Sequence, residues 1–321
     1  MKTIVLAALT ATALAPAVTA MAQDKKTVAV VCHCQQSLPM YKAFEAHLAE
    51  LGWRDGENVR LVRHFSGGDP ALLAASAKQA VDARPDVIFA GFTPAVITLQ
   101  KHISNIPVIF AGVSDASEIG AATHFNRPEG NFTGSITINR ELMPKRLEVL
   151  KEALPDLRTV GYLANPNYGL HNPQLEEMEA AAKRLGVQMV TVTTTSPAQF
   201  DAAFVELAAK GSQGLIVQQD PLFTGQASRI VALAEKHKLP TIYALRNFFD
   251  AGGLMWYGAD IPATFARAAD YVDRVLKGAR PADLPIERPA KVYLTINGKL
   301  AQQMGVPLSP IILSRADEVI E

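Results

Sequence analysis

The chain has 321 residues, and its 31 Lys and Arg balance 31 Asp and Glu, so no net charge draws it to nucleic acid or an anionic membrane over long range. Hydrophobic content of 49% with 19% charge is that of an ordinary globular chain and excludes a disordered or fibrous one. Length suggests two domains of usual size, each able to bury its own core, and the expected partner is a small molecule or a protein.

The first elements in chain order form an export label. Lys2 precedes an apolar run over 4–18, and Ala20, Met21 and Ala22 stand before Gln23, the pattern of a cleaved secretory signal over residues 1–22. The apolar run is shorter than the about 20 residues a spanning helix needs. No Cys follows the cleavage site as a lipoprotein would require, so the product is expected free in a periplasm.

Apolar, β-rich runs then alternate with amphipathic helical segments, the pattern of parallel sheets with crossover helices. A strand is expected over 27–32 and a helix over 41–51, with Tyr41, Phe44, Leu48 and Leu51 on one face and Gly52 as its stop. A second strand spans 59–64. A helix capped by Asp69 spans 70–83, and strands follow over 87–90 and 106–110.

The series repeats, with strands beginning near Thr159, Gln188, Leu215 and Thr241, displaced by about 130 residues from their first-half counterparts. The fold class expected is α/β, with two similar doubly wound, Rossmann-like parallel-sheet lobes. Ligands in such sheets sit beyond the carboxyl ends of the strands, so facing lobes would share one cleft.

The two cysteines, Cys32 and Cys34, flank His33 at the end of the first strand. On an extended strand their side chains point the same way without bridging geometry, so two thiols in or beside the strand end are expected. His33, His124 and His171 lack metal-binding spacing, and neither a metal nor a cofactor is expected.

Seven segments, in order, carry a family resemblance. They are IPVIFAG at 106–112, NFTG at 131–134, KRLEVLKEALP at 145–155, LANP at 163–166, LPTIY at 239–243, AGGL at 251–254 and SRADE at 314–318. The chain resembles the ABC transporter substrate-binding family associated with tryptophan and tyrosine uptake, over nearly all its mature length.

The resemblance implies a type I periplasmic binding protein fold, with lobes joined by a three-crossover hinge. The crossings would lie near 134–138, 254–258 and 284–292, with the helix over 264–277 returning to the first lobe. The lobes would be 23–136 plus 258–286 and 137–257 plus 287–321. Gly252, Gly253 and Gly258 agree with a hinge, since they allow backbone freedom. The resemblance also implies a monomer that binds a small solute and docks on an ABC permease in the inner membrane.

Candidate ligand residues are those just after strand ends. In the first lobe they are Gln36, Ser37, Phe92, Thr93, Ser114 and Asp115; in the second, Asn165, Tyr168, Asp220 and Tyr243. Thr93 could bind a carboxylate with N–H groups at a helix start, or cap that helix. Asp220 could pair with an ammonium group, or cap the turn at Pro221. Phe92, Tyr168 and Tyr243 could supply flat apolar walls or be core. Arg246 could hold a carboxylate bidentately, but an interlobe or surface ion pair is the expectation for it. Gln35 and Gln36 depart from the small residues expected after the first strand in this family.

No GxSxG, Walker A or GxGxxG motif is present, so no enzymatic turnover is expected. A solute-binding component of an ABC importer, most readily for an amino acid, is expected. A sensor that shows its closed form to a membrane receptor is the alternative.

Overall fold

The computed structural model describes residues 25–102, 105–121, 125–126, 128 and 130–321. The secretory signal expected over 1–22, and His124, lie outside the described residues. Among the described residues, no helix is long and apolar enough to cross a membrane.

The first sheet has five parallel strands: β1 (Lys26–Cys32), β2 (Val59–Phe65), β3 (Val87–Gly91), β4 (Val108–Val113) and β5 (Phe132–Ile136), in the order β2-β1-β3-β4-β5. β3 and β4 are buried along their whole length, as expected of parallel strands covered on both faces. The helices α1 (Pro39–Glu50), α2 (Pro70–Asp82) and α3 (Thr93–Gln100) connect them. Asp69 caps α2 by accepting the N–H groups of Ala71 and Leu72, with Pro70 at the first helical position.

The second sheet has seven strands: β6 (Thr159–Ala164), β7 (Gln188–Thr193), β8 (Gly214–Val217), β9 (Thr241–Tyr243), β10 (Met255–Ala259), β11 (Val292–Asn297) and β12 (Glu318–Ile320). Read from β7, the order β7-β6-β8-β9-β10 repeats that of the first sheet, and β11 and β12 extend it. The pair β10–β11 is antiparallel. The helices that follow in chain order among the described residues are α4 (Asn139–Ala153), α5 (His171–Arg184), α6 (Phe200–Ala209), α7 (Pro221–Thr224), α8 (Ala227–Lys236), α9 (Arg246–Asp250), α10 (Ile261–Leu276) and α11 (Gly298–Met304). A last short helix, α12 (Pro310–Arg315), precedes β12.

Although α10 follows β10, it packs on α1, β4 and β5 of the first sheet. Its buried face, with Phe265, Ala268, Ala269 and Val272, follows helical spacing. Phe44 of α1 stacks on Phe89 of β3 at 4.1 Å, and Phe265 meets Phe89 edge-on at 5.3 Å. Each such ring contributes about 1.5–3 kcal/mol by burial.

The chain therefore passes between the sheets three times, after β5, after β10 and before β11. The segment over 254–258, expected to cross, is instead the body of strand β10, bonded between β9 and β11. Gly258, and Gly253 just before the strand, are closely packed, whereas Gly252 holds φ +98° in open space. A Cβ on Gly258 would collide with the Ala244 carbonyl oxygen, and one on Gly253 would stand 2.7 Å from that of Phe248.

The cysteines also differ from expectation, because Cys32 and Cys34 form a disulfide. Expectation assumed an extended backbone through all three residues. The strand ends at Cys32, and His33 and Cys34 form a bend that turns the second sulfur back. Gly91 leaves the room: a Cβ there would stand 2.5 Å from Cys32 Sγ.

Candidate functional site

The carboxyl ends of both sheets face one cleft, and its first wall is built by the turn after β3. Phe92 holds φ +71°, rare for a residue with a bulky side chain. That turn lays its ring over Gly112, where a Cβ would meet Phe92 Cδ1 at 2.9 Å, and it starts α3 at Thr93. Thr93 is fully buried; its Oγ1 accepts the Ser114 N–H at 3.0 Å and lies 3.1 Å from Glu118 Oε2.

Two buried polar atoms at this end of the cleft have no partner among the described residues, the hydroxyl Ser114 Oγ and the carbonyl oxygen Asn139 Oδ1. Ser114 is 5% and Asn139 3% exposed, and both line the cavity. Asn139 opens α4 just after Ile138, whose φ of +52° is a second left-handed backbone at the cleft. Orphaned buried polar atoms lose the desolvation energy of their group unless a ligand or water meets them, about 1–3 kcal/mol.

The second wall comes from the turns after β6 and β8. Asp220 is 3% exposed; it receives the Leu222 N–H at 2.8 Å, and Asn165 Nδ2 lies 3.3 Å from each of its oxygens. Burial pushes its carboxyl up to about 6, against those hydrogen bonds. Asn165 is in turn held by its N–H to Gln218 Oε1 at 2.9 Å, and Gln218 by Gln174 at 2.8 Å. No cation among the described residues is hydrogen-bonded to Asp220, so the carboxylate is supported as an acceptor and left without a counter-charge.

The walls meet closely. A Cβ on Gly68 would stand 2.9 Å from Pro221 Cβ, and one on Gly225 would stand 2.9 Å from Gln35 Nε2. Arg140 joins Ser117 of the first half, at 3.3 Å, to Glu177 of α5. The inner pocket so enclosed, about 40 Å³, is walled by Leu38, Phe92, Pro94, Tyr168 and Leu245. A second, outer chamber of about 480 Å³ shares His33, Tyr168 and Asp220 with it as lining. Burial pulls the His33 imidazole down to about 4, so it is neutral, with its Nδ1 2.7 Å from Ser66 Oγ.

Of the residues proposed from sequence, Phe92, Thr93, Ser114, Tyr168 and Asp220 line the inner pocket, and Asn165 lines the outer chamber. Four do not line either. Tyr243 is 1% exposed and stacks on Phe248 at 4.8 Å, because β9 is buried on both faces and its ring lies under the helices. Gln36 and Ser37 are exposed in the turn before α1, and Asp115 caps the 3-10 turn over Ala116–Ile119 by accepting the Ser117 N–H. Asp220 both caps α7 and faces the pocket. Gln219, in the same turn after β8 as Asp220, also lines the pocket, whereas Asn139, Thr224 and Leu245 line it and carry no motif that sequence reading could have used. Arg246 is in the expected ion pairs, with Asp250 and Glu318.

Two α/β lobes closing on a pocket with donors at one end and a bare carboxylate at the other define a binding protein for a small solute. The chain belongs to the family described as ABC transporter substrate binding protein, which it matches over residues 25–320. That family consists of substrate-binding proteins rather than enzymes, and its members work with a permease. The chain is 24% identical over 256 residues, 80% of its length and 73% of the relative's, to a tyrosine-binding protein of Clostridioides difficile (strain R20291).

Among solved structures, it resembles a conserved domain protein from Vibrio cholerae at a TM-score of 0.81 and 24% identity, covering 92% of this chain and 99% of that one. It resembles the ABC domain in complex with L-Trp from Streptococcus pneumonia at 0.80 and 24% identity, covering 92% and 100%. The ligand-free, open structure of a substrate binding protein with adhesive properties from Clostridium difficile scores 0.64 at 20% identity, covering 92% and 99%.

Proposed function

We propose that this chain binds an amino acid with an apolar, most readily aromatic, side chain and delivers it in the periplasm to an ABC importer. The observation that carries the reading is the polarity of the pocket. Ser114 Oγ and the start of α3 at Thr93 suit a carboxylate. Asp220 opposite suits an ammonium group. Between them, Leu38, Phe92, Pro94, Tyr168 and Leu245 suit an apolar side chain. The relatives' tyrosine and L-Trp favour the same class.

In this reading the lobes are 25–136 with the α10 segment, and 139–259 with the closing residues. Ligand docks on one lobe, and hinge closure brings the other's polar groups onto it, the contacts made only in the closed form driving the shift. Closure then presents a surface that the permease reads.

The test is to follow thermal unfolding of the purified chain while adding each common amino acid. A ligand at 100 times its dissociation constant adds about 2.7 kcal/mol, a rise in Tm of roughly 5–10 °C for lobes of this size. L-tryptophan or L-tyrosine is expected to give it. A flat response to every amino acid overturns the amino-acid reading.

A further inference from the structure

Glu118 is a carboxylate that the pocket polarity does not use. It sits in the 3-10 turn Ala116–Ile119 behind Thr93, whose hydroxyl touches both Glu118 Oε2 and the Ser114 N–H. A threonine hydroxyl has one hydrogen and two acceptor lone pairs. The Ser114 N–H occupies one lone pair. While Glu118 is ionised, the single hydrogen goes to Glu118, and Thr93 has none to offer a ligand. If Glu118 carries a proton, it can donate to the second lone pair, and the Thr93 hydrogen is free to turn toward the cleft.

We propose that Glu118 takes up one proton from solvent when an amino acid binds, and so turns the Thr93 hydroxyl from a donor to Glu118 into a donor to the ligand's carboxylate. This rests on the carboxylate placement proposed above. No bond other than the Glu118 O–H forms, and the proton comes from water or buffer. Glu118 is a positioning residue, since it acts through Thr93.

The surroundings agree. Burial holds the Glu118 carboxyl up at about 7, its hydrogen bond to Thr93 working the other way. Asp115 on the same turn raises it further, and Arg140 from α4 lowers it. Arg140 is committed to Glu177 and Ser117. Burial pushes up the Tyr168 hydroxyl, in the turn after β6, and Glu118 and Asp220 both add to that. A ligand carboxylate at Thr93 adds a negative charge close to Glu118, which favours the protonated form more strongly.

The sign follows. Below about pH 7 Glu118 already holds its proton, so affinity is level on that account. Above it, binding must draw a proton from solution, and the dissociation constant rises by up to tenfold per unit, roughly 20–30-fold between pH 6.5 and 8.5. Asp220 acts on the other side: its protonation below about pH 6 removes the ammonium partner and weakens binding in acid.

The experiment is calorimetric titration of the chain with L-tryptophan and L-tyrosine from pH 5 to 8.5, in pairs of buffers with different ionisation heats. The wild type is expected to take up a fraction of a proton at neutral pH, rising toward one at pH 8.5, with the alkaline weakening given above. In Glu118→Gln, whose amide N–H donates permanently to Thr93 Oγ1, both the proton uptake and the alkaline weakening should vanish while the acid weakening stays. Unfolding curves for the variant establish that it is folded, and Thr93→Val should lose the alkaline slope together with affinity. Ligand binding by the wild type without proton uptake, or the same alkaline slope in Glu118→Gln, overturns the proposal alone. No binding at any pH overturns the amino-acid reading and this inference with it.

Discussion

The loops that leave β1 and β6 hold equivalent places in the two lobes, yet they are fixed by different means. After β1, the Cys32–Cys34 disulfide closes a three-residue ring and leaves Cys34 against the pocket. After β6, the loop is held by polar contacts alone: the Asn167 N–H on Asn165 Oδ1 at 3.0 Å, and Asn165 on Asp220 and Gln218. The same contrast runs through the binding chemistry. The first lobe lines the pocket with Thr93 and Ser114 and keeps its carboxylate, Glu118, behind Thr93, whereas the second puts Asp220 directly on the cleft. In the function proposed above, a repeated fold takes on opposite electrostatic tasks, one end for an anion and the other for a cation.

The strongest way to break this contrast is to remove the second lobe's charge. Truncating one member of a buried charge pair costs about 2–5 kcal/mol, so Asp220→Ala should weaken L-tryptophan by roughly thirtyfold to several-thousandfold. Asp201→Ala is the control. Asp201 is exposed on α6 and paired with Arg229 at 2.6 Å, far from the pocket lining. Equal affinities for the two variants, measured by calorimetry, would sink the ammonium site.

A smaller effect sharpens the other end. Ser114→Ala removes a neutral donor to a charged group, about 1–2 kcal/mol or roughly tenfold in affinity. The loss should be larger for L-tryptophan than for tryptamine, which lacks the carboxylate. An equal loss for both ligands would show that this side chain does not meet the carboxylate, and the division of labour between lobes would fail.

The contrast also explains what could be read from sequence. Strands such as 87–91 and 108–113 advertise burial on both faces, and Asp69 before Pro70 marks a helix start, so the doubled α/β pattern was legible. Thr93, Ser114 and Asp220 follow strand ends, where that pattern directs attention. Asn139 was not legible, because its position depends on Ile138 adopting a left-handed backbone that isoleucine rarely takes. Glu118 reads as one more acid in a surface turn, and only the fold puts it against Thr93, 25 residues away. Tyr243 failed for the converse reason. An aromatic at the end of a strand looks the same in sequence whether its ring faces a cleft or a helix, and here Phe248 takes it.

The smallest expected effect concerns the covalent tie. A cross-link around so short a ring removes little freedom from the unfolded chain, so replacing both Cys32 and Cys34 by Ser should cost about 1–2 kcal/mol of stability. Affinity should fall less than in Ser114→Ala, because Cys34 contributes a wall and no hydrogen bond to the pocket. The pairing itself is checked by alkylating the unfolded, unreduced chain and weighing it: no label is expected before reduction and two labels after. Two labels before reduction would mean that the β1 loop, like its β6 counterpart, is held without a covalent bond. The contrast between the loops would then vanish, while that between Ser114 and Asp220 would stand, since neither depends on the sulfurs.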